Sequence, residues 1–247
     1  MIKIPIDPTN PGHVFAAVGL TELAYRLTGE ATGYFDNFTY HLFIGSNWNI
    51  TELITGIQSL KIRSDDPTNN DSPFCIGSLR LDWWLRSTAK DPKLGNLKTW
   101  SGTVTLPNSI NATHNSLTKS SDLFFARTLA YLPEKTTPTA LTSFDAQRGR
   151  STLDTGYSPN ELKHKIVPSP SVEFFALVGL QRAWPTKAKG SHAYYTWSTP
   201  LPPILLPAAI GGHLNPLTGY AFAIQKDGEL SRLQPAQPFR QTNQPKT

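Results

Sequence analysis

Two segments of the chain, residues 15–20 and 175–180, share the pattern Phe-Ala-x-Val-Gly-Leu. Apolar residues recur at helical spacing around each copy, and a proline stands shortly before it, so each segment predicts a helix whose first turn is set by proline. Gly19 and Gly179 then lie in mid-helix, where glycine costs about 1 kcal/mol relative to alanine. We therefore predict that another backbone packs closely against each glycine, with the sister helix as the candidate.

The flanking residues predict how these helices begin and which elements come after them. Asn10 is predicted to cap the first helix, Pro11 to be its first residue, and Gly29 and Gly33 to mark its end. A segment rich in aromatic and β-branched residues, typical of strands, comes after each helix, over residues 34–44 and 193–197. We interpret the chain as two halves of similar plan joined through a middle segment, although two unrelated amphipathic helices would give the same pattern.

We predict an α+β fold in which two similar helix-plus-sheet halves pack into one compact unit. Within it we expect a second helix capped by Asn49, a half-buried strand over residues 77–85 and a further helix capped by Ser120 or Ser121. The predicted organisation is an acidic N-terminal half-unit, a basic aromatic-rich middle, a C-terminal half-unit and a flexible tail, over residues 1–75, 76–160, 161–232 and 233–247.

Composition excludes several classes of protein. With 38% apolar and 17% charged residues, the chain is too apolar and too lightly charged to be disordered. The longest apolar stretches, residues 14–20 and 201–210, fall short of the ~18 residues of a membrane-spanning helix. Cys75 is the one cysteine, which excludes an internal disulfide and a cysteine-built zinc site. The first residues lack the apolar run of a signal peptide, and we expect a cytoplasmic protein with no membrane partner.

The positive charge is concentrated in the last two thirds of the chain. Residues 1–75 carry a net charge of −4, residues 76–150 of +5 and residues 151–247 of +4. An acidic first third before a basic remainder is compatible with a surface that faces nucleic acid. The same imbalance also arises by chance in ordinary proteins.

Within the basic part, cations lie beside aromatic residues and on glycine-flanked loops. Lys and Arg neutralise phosphates, and an exposed indole offers a face to an unstacked base. Trp83 is predicted to lie in the core, whereas Trp84 and Trp100 are equally consistent with the core and with stacking. The candidate nucleic-acid-binding residues are Arg80, Arg86, Lys93, Lys98, Arg148, Arg150, Lys163, Lys165, Lys187 and Lys189, and the candidate stacking residues are Trp84 and Trp100.

Catalytic signatures are missing from the sequence. The chain lacks the Walker A, Gly-x-Ser-x-Gly, His-Glu-x-x-His and Cys-x-x-Cys patterns. Its six histidines lie far apart in sequence, without the helical pairing that suits a metal. We predict no catalytic residue, no metal and no cofactor, while a metal-free nuclease that uses one histidine and one lysine stays open.

Several longer strings of residues occur in a characteristic order, and we call them the first to fourth motif strings. They are Asp-Pro-Thr-Asn-Pro-Gly-His-Val-Phe-Ala-Ala-Val-Gly-Leu-Thr-Glu-Leu-Ala from Asp7; Leu-Arg-Leu-Asp-Trp-Trp-Leu from Leu79 with Leu-Lys-Thr-Trp-Ser-Gly from Leu97; Phe-Asp-Ala from Phe144 with Leu-Asp-Thr-Gly-Tyr-Ser-Pro-Asn-Glu-Leu from Leu153; and Val-Glu-Phe-Phe-Ala-Leu-Val-Gly-Leu-Gln-Arg from Val172. In this order and spacing, over about residues 5–200, the chain resembles the Csb-type subunit of type I-U (also called I-G) CRISPR-Cas systems.

The resemblance implies a non-catalytic subunit of a Cascade-like interference complex, in the place of the large subunit. There it would help to bind the 5′ region of the guide RNA and the target DNA next to the protospacer, while base pairing reads the target sequence. The implied partners are guide RNA, target DNA, other Cascade subunits and the helicase-nuclease that the complex recruits. Two alternatives stay open, a metal-independent ribonuclease that processes guide RNA and a purely structural bridging subunit.

Overall fold

The structure is a computed structural model, which describes residues 1–46, 48–66, 68–69, 71–86, 97–100, 106–117, 119, 123–124, 142–146, 169–188, 190–214, 216–227 and 230–239. The α-helices in these ranges are α1 (Pro11–Thr28), α2 (Ile50–Ser59), α3 (Trp83–Arg86), α4 (Leu106–Asn115), α5 (Pro170–Arg182) and α6 (Leu206–Ile210). The strands are β1 (Ile2–Pro5), β2 (Ala31–Asp36), β3 (Thr39–Ile44), β4 (Ile62–Ser64), β5 (Phe74–Ile76), β6 (Leu79–Leu81), β7 (Thr186–Ala188), β8 (Ser191–Trp197), β9 (Pro216–Phe222), β10 (Ile224–Asp227), β11 (Leu230–Leu233) and β12 (Gln237–Phe239). This mixture of helices and small sheets confirms the predicted α+β class.

The predicted helix boundaries are confirmed. The side-chain oxygen of Asn10 accepts a hydrogen bond from the backbone N–H of Gly12 at 3.0 Å, and Pro11 is the first residue of α1. Gly29 ends the helix with a φ of 76°, in the left-handed region that glycine adopts without strain. Asn49 caps α2 in a reciprocal capping box with the glutamate three residues later.

Helices α1 and α5 touch through their backbones at the two glycines of the repeated pattern. A Cβ atom added to Gly19 would lie 1.9 Å from the carbonyl oxygen of Phe175, and one added to Gly179 would lie 1.9 Å from the carbonyl oxygen of Phe15. Real Cβ atoms essentially never approach another atom within 3.0 Å, so only glycine fits at either position. The prediction that each glycine admits the sister helix is therefore confirmed.

The two helices run in the same direction and form the centre of the core. Gly12 lies against Val172 in their first turns, and Glu22 accepts hydrogen bonds from Arg182 near their opposite ends. Residues 11–24 of α1 are all buried, which is typical of a helix enclosed by other elements on every side.

Each central helix is followed by strands of a small antiparallel sheet, and the first of these sheets also contains β1, which precedes α1. The first has the order β1-β3-β2, and the second has the order β12-β9-β8-β7. Gly33 of β2 and Leu201, four residues after β8, exchange a pair of backbone hydrogen bonds, each 3.1 Å long. The indole Nε1 of Trp197 also donates to the carbonyl oxygen of Gly33 at 2.7 Å, so the two sheets are fixed to each other beside the helix pair.

The remaining strands form a third sheet of order β4-β5-β6 and the hairpin β10-β11. The prediction of one strand over residues 77–85 is wrong, because β6 ends at Leu81 and Trp83–Arg86 form one helical turn. A strand would alternate its side chains between two faces, whereas Trp83 and Trp84 are adjacent and both buried. The helical turn allows both indoles to enter the core.

The predicted tail from residue 233 onward is wrong as far as residue 239. Leu233 and Ala236 are buried, the N–H of Ala236 donates to the carbonyl oxygen of Thr9 at 2.7 Å, and β12 pairs with β9. Residues 240–247 lie outside the described residues, as does the helix predicted after Ser120 or Ser121 except for Leu123 and Phe124. The similarity of the two halves beyond the helix pair stays a prediction.

Candidate functional site

The structure describes the side chains of three of the ten predicted phosphate-binding residues, Arg80, Lys98 and Lys187. Arg86 is the last residue of α3, but its side chain lies outside the described part. The other six predicted residues also lie outside the described residues, namely Lys93, Arg148, Arg150, Lys163, Lys165 and Lys189.

Arg80 and Lys98 form ion pairs within the chain. An Nη atom of Arg80 lies 2.7 Å from Asp65 and its Nε lies 3.7 Å from Asp82. The ammonium group of Lys98 lies 2.5 Å from the carboxylate of Asp71. A phosphate would have to compete with these carboxylates. Lys187 is exposed on β7, the end strand of its sheet.

The assignment of Trp84 and Trp100 as stacking residues is wrong, because both are buried, at 1% and 3% exposed. The Nε1 of Trp84 donates to the carbonyl oxygen of Asp71 at 2.8 Å, and the Nε1 of Trp100 donates to its carboxylate at 3.1 Å. Both rings pack edge-on against Trp83, whose predicted place in the core is confirmed. Neither indole face is open to a base.

A buried polar cluster joins the N-terminal ends of α1 and α5 to the segment 142–146. We call it the anchor cluster, and its members are Asn10, Thr142, Asp145, Ser169 and Glu173. One Asp145 oxygen accepts a hydrogen bond from the Asn10 side-chain amide at 2.7 Å, and the other accepts one from the Ser169 N–H at 3.0 Å. The Asp145 carboxylate therefore lies where the positive ends of two parallel helix dipoles meet, which stabilises both helices. Asn10 acts as a helix cap, as predicted, and also as a link to this segment.

Glu173 holds the same segment from the first turn of α5. Its carboxylate accepts hydrogen bonds from the Thr142 hydroxyl and from the N–H groups of Phe144 and Asp145, the last two at 3.2 and 3.0 Å. Burial raises the pKa of Glu173 above its ordinary value, although these hydrogen bonds oppose the rise. Ser143, between these donors, has a φ of 61°, a left-handed conformation that a non-glycine residue rarely adopts. The segment that precedes Arg148 is thus fixed by two buried carboxylates.

A cleft of about 200 Å³ lies toward the other end of the helix pair. We call it the arginine cleft; the helices supply Glu22, Arg26, Val178, Gln181 and Arg182 to its lining, and β6 supplies Leu79 and Arg80. The Gln181 amide oxygen accepts hydrogen bonds from the N–H groups of Asp82 and Trp83, at 2.9 and 3.0 Å, and so attaches the second motif string to α5.

The Glu22 carboxylate is the electrostatic centre of the arginine cleft. Burial raises its pKa, but the hydrogen bonds and charges of Arg182 and Arg26 outweigh burial and hold the pKa below its ordinary value. Glu22 is therefore ionised at neutral pH, as part of an ion-pair triad. None of these three residues was a candidate from the sequence, although Glu22 and Arg182 each stand three residues after a glycine of the repeated pattern. The opposite charges of Glu22 and Arg182, at equivalent positions of the two helices, could have predicted this ion pair.

A metal-free nuclease would need an accessible histidine. His13, His41, His114 and His192 are each at most 8% exposed, and His192 lies opposite Lys187 on neighbouring strands. Burial, and to a lesser degree the charge of Lys187, lower the pKa of His192. Within the described residues, no group of three His, Cys, Asp or Glu side chains could hold a metal ion.

Comparison with known proteins identifies no relative of this chain. A scan against models of protein families, a search of curated proteins and a search of solved structures each give no match. In the part of the chain that the structure describes, no helix is both long enough and apolar enough to cross a lipid bilayer.

Proposed function

We propose that the chain is a non-catalytic, nucleic-acid-associated subunit of an RNA-guided CRISPR interference complex of the Cascade-like kind. It helps to bind the 5′ region of the guide RNA and the target DNA next to the protospacer. Its protein partners are the other Cascade subunits and the helicase-nuclease that the complex recruits.

The observation that carries this proposal is the meeting of the motif strings at both ends of the helix pair. The anchor cluster joins residues of the first, third and fourth strings, and the arginine cleft joins residues of the first, second and fourth. The hydrogen bonds concerned connect residues 135 positions apart, as for Asn10 and Asp145, and 160 positions apart, as for Glu22 and Arg182. The motif strings are distant in sequence but hydrogen-bonded to one another in the structure, so they belong to one folded unit. This supports the resemblance to the Csb-type subunit, which is based on the order of the strings.

The basic tripeptide Arg-Gly-Arg at residues 148–150 follows the segment that the anchor cluster holds. Arg148 and Arg150 stand two and four residues after Ala146, whose N–H donates to the Asn10 side chain at 3.1 Å. Two arginines that flank a glycine are suited to contacts with the phosphates of a nucleic-acid backbone. We therefore assign the leading phosphate contacts to Arg148 and Arg150.

The test is to co-express the chain with its partner subunits and a guide RNA, and to measure target-duplex affinity against salt concentration. Replacing both residues, as Arg148→Glu and Arg150→Glu, is expected to weaken binding. The slope of log affinity against log salt should become shallower by about 2, because each lost duplex phosphate contact removes about 0.9.

The matched control is the pair Lys3→Glu and Arg63→Glu, which reverses two exposed cations of the acidic first third. It changes the net charge equally and should leave the slope nearly unchanged. If the two pairs behave alike, the phosphate contacts are wrongly assigned. A complex assembled without the chain is also compared with one that contains it. If both bind the target equally well, a purely structural bridging role replaces the proposal.

A metal-independent guide-RNA ribonuclease is the second candidate, favoured by the Lys187 and His192 pair across β7 and β8. It requires that the isolated protein cleaves repeat RNA in EDTA and that His192→Ala abolishes cleavage. His213→Ala is the control, since His213 is exposed and lies in a turn region outside the strands. Intact repeat RNA after prolonged incubation with the parent protein would exclude this candidate.

A further inference from the structure

The arginine cleft holds two guanidinium groups on one buried carboxylate. Arg182 donates from Nε and Nη2 to the two oxygens of Glu22 at 2.6 and 2.7 Å. Arg26 donates from Nε to one of the same oxygens at 2.7 Å. The Glu22 side chain is 2% exposed, whereas those of Arg26 and Arg182 are 31% and 28% exposed. Glu22 thus fixes both cations from the buried side and leaves part of each open to the cleft.

Donors remain available on both arginines. A guanidinium has five N–H donors, and among the described residues Nη1 of Arg182 and Nη2 of Arg26 make no hydrogen bond. The triad contains two positive charges and one negative charge, so by itself it carries a net charge of +1. Arg80 forms part of the cleft wall but is not a phosphate donor, because it pairs with both Asp65 and Asp82 in a group of net charge −1.

We infer that the arginine cleft binds one phosphate group of a nucleic-acid backbone, with Arg26 and Arg182 as the donors. The inference rests on the proposed function, which supplies the nucleic acid. A phosphodiester carries one negative charge, equal and opposite to that of the triad itself, and the remaining guanidinium N–H donors of Arg26 and Arg182 suit phosphate oxygens in geometry. Because Glu22 already orders both side chains, little conformational entropy is lost when the phosphate binds.

The shape and setting of the cleft favour a nucleotide over a protein carboxylate. Its volume of about 200 Å³ exceeds what a single anionic group needs, and Leu79 and Val178 give it apolar walls for the carbon atoms of a sugar. The net charge of +5 on the chain also attracts a polyanion such as nucleic acid over a single carboxylate.

The first experiment uses the assembled complex with Arg26→Gln. This variant removes one donor group and one charge, while Glu22 keeps its two hydrogen bonds from Arg182, so the fold is retained. We expect target affinity to fall about tenfold and the salt slope to become shallower by about 0.7–0.9. Arg63→Gln, an exposed arginine on β4 outside the cleft, should change affinity less than about twofold.

The outcomes separate this inference from the proposed function. A complex that binds its target equally well with Arg26→Gln overturns the cleft assignment alone. Equal losses with Arg26→Gln and Arg63→Gln also overturn it, because the effect would then be one of net charge. A parent complex that binds no target overturns the proposed function, and the second experiment then decides the cleft.

The second experiment tracks the arginine Nε signals of the isolated chain by NMR. Inorganic phosphate and a ten-nucleotide single-stranded RNA should both shift the Arg26 and Arg182 signals, with RNA acting at the lower concentration. The Arg63 signal is the internal control. If an acidic peptide shifts these signals and neither phosphate nor RNA does, the cleft is a protein-docking site and the inference is wrong. Absence of any shift overturns it as well.

Discussion

Replacing Gly19 with alanine tests whether backbone contact between α1 and α5 holds the fold together. The added methyl group would lie 1.9 Å from the Phe175 carbonyl oxygen, whereas ordinary contacts begin at 3.4 Å, so the helices must separate by about 1.5 Å. Overpacking of this kind costs about 1–3 kcal/mol, and the separation also loses dispersion contacts along the interface. Alanine gains about 1 kcal/mol over glycine in mid-helix. We expect a net loss of about 2 kcal/mol from the free energy of unfolding.

Urea unfolding and thermal melting, both monitored by circular dichroism, measure this loss. The melting temperature should fall by about 4–8 °C. Gly179→Ala should behave like Gly19→Ala because the contact is reciprocal. The double variant should cost clearly less than the sum of the two, since one separation of the helices accommodates both methyl groups.

Gly45→Ala is the matched control, because an added Cβ there meets nothing within 4 Å. Its effect should stay within about 0.5 kcal/mol. If Gly19→Ala or Gly179→Ala is at least as stable as the parent protein, the helix propensity of alanine outweighs the contact, and the reasoning from backbone approach is refuted.

Two further predictions concern the core and the ion-pair triad. Trp84→Ala should destabilise the protein by about 3–5 kcal/mol in a thermal melt, because this buried ring stacks on Phe74 at a centroid distance of 5.4 Å. A variant that melts like the parent but loses nucleic-acid affinity would instead indicate that Trp84 stacks on a base. Because the ion pairs lower the pKa of Glu22 below its ordinary 4.5, the stability they contribute is present above that pH and is lost as the pH falls through the lowered folded value. The parent should therefore melt at a higher temperature than Glu22→Gln at pH 7, and this difference should disappear below about pH 4.5. Glu30→Gln, at an exposed glutamate, is the control, and a difference that widens in acid would contradict the triad geometry.

The features that the sequence predicted correctly are those set by neighbouring residues. The cap at Asn10, the end of α1 at Gly29 and the cap at Asn49 depend on chemistry within one helical turn. The close approach at Gly19 and Gly179 was predictable because an unfavourable residue in mid-helix requires a compensating contact. The hairpin of β2 and β3 likewise arises from a local strand-turn-strand pattern.

The features that the sequence did not predict depend on partners far along the chain. Trp84 is buried because α3 turns it toward β5 and the other indoles, which alternation along a strand cannot reveal. Asp145 and Glu173 look like ordinary surface carboxylates in sequence, yet both are buried and hydrogen-bonded. Their partners become neighbours only when α1 and α5 come together.

The pairing of α1 with α5 has a consequence for synthesis on the ribosome. Residues 11–24 of α1 are buried in the native protein, but the helix that covers them is contributed by residues about 160 positions later, as the Glu22 and Arg182 contact measures. At about 5–20 residues per second, translation of that interval takes roughly 8–32 s, during which an apolar helix lacks its native neighbour. Nascent chains that stop before α5 should therefore depend on chaperones and aggregate without them. Enclosure of the helix also requires β8 and β9, because Phe15 packs against Tyr194 and Phe222.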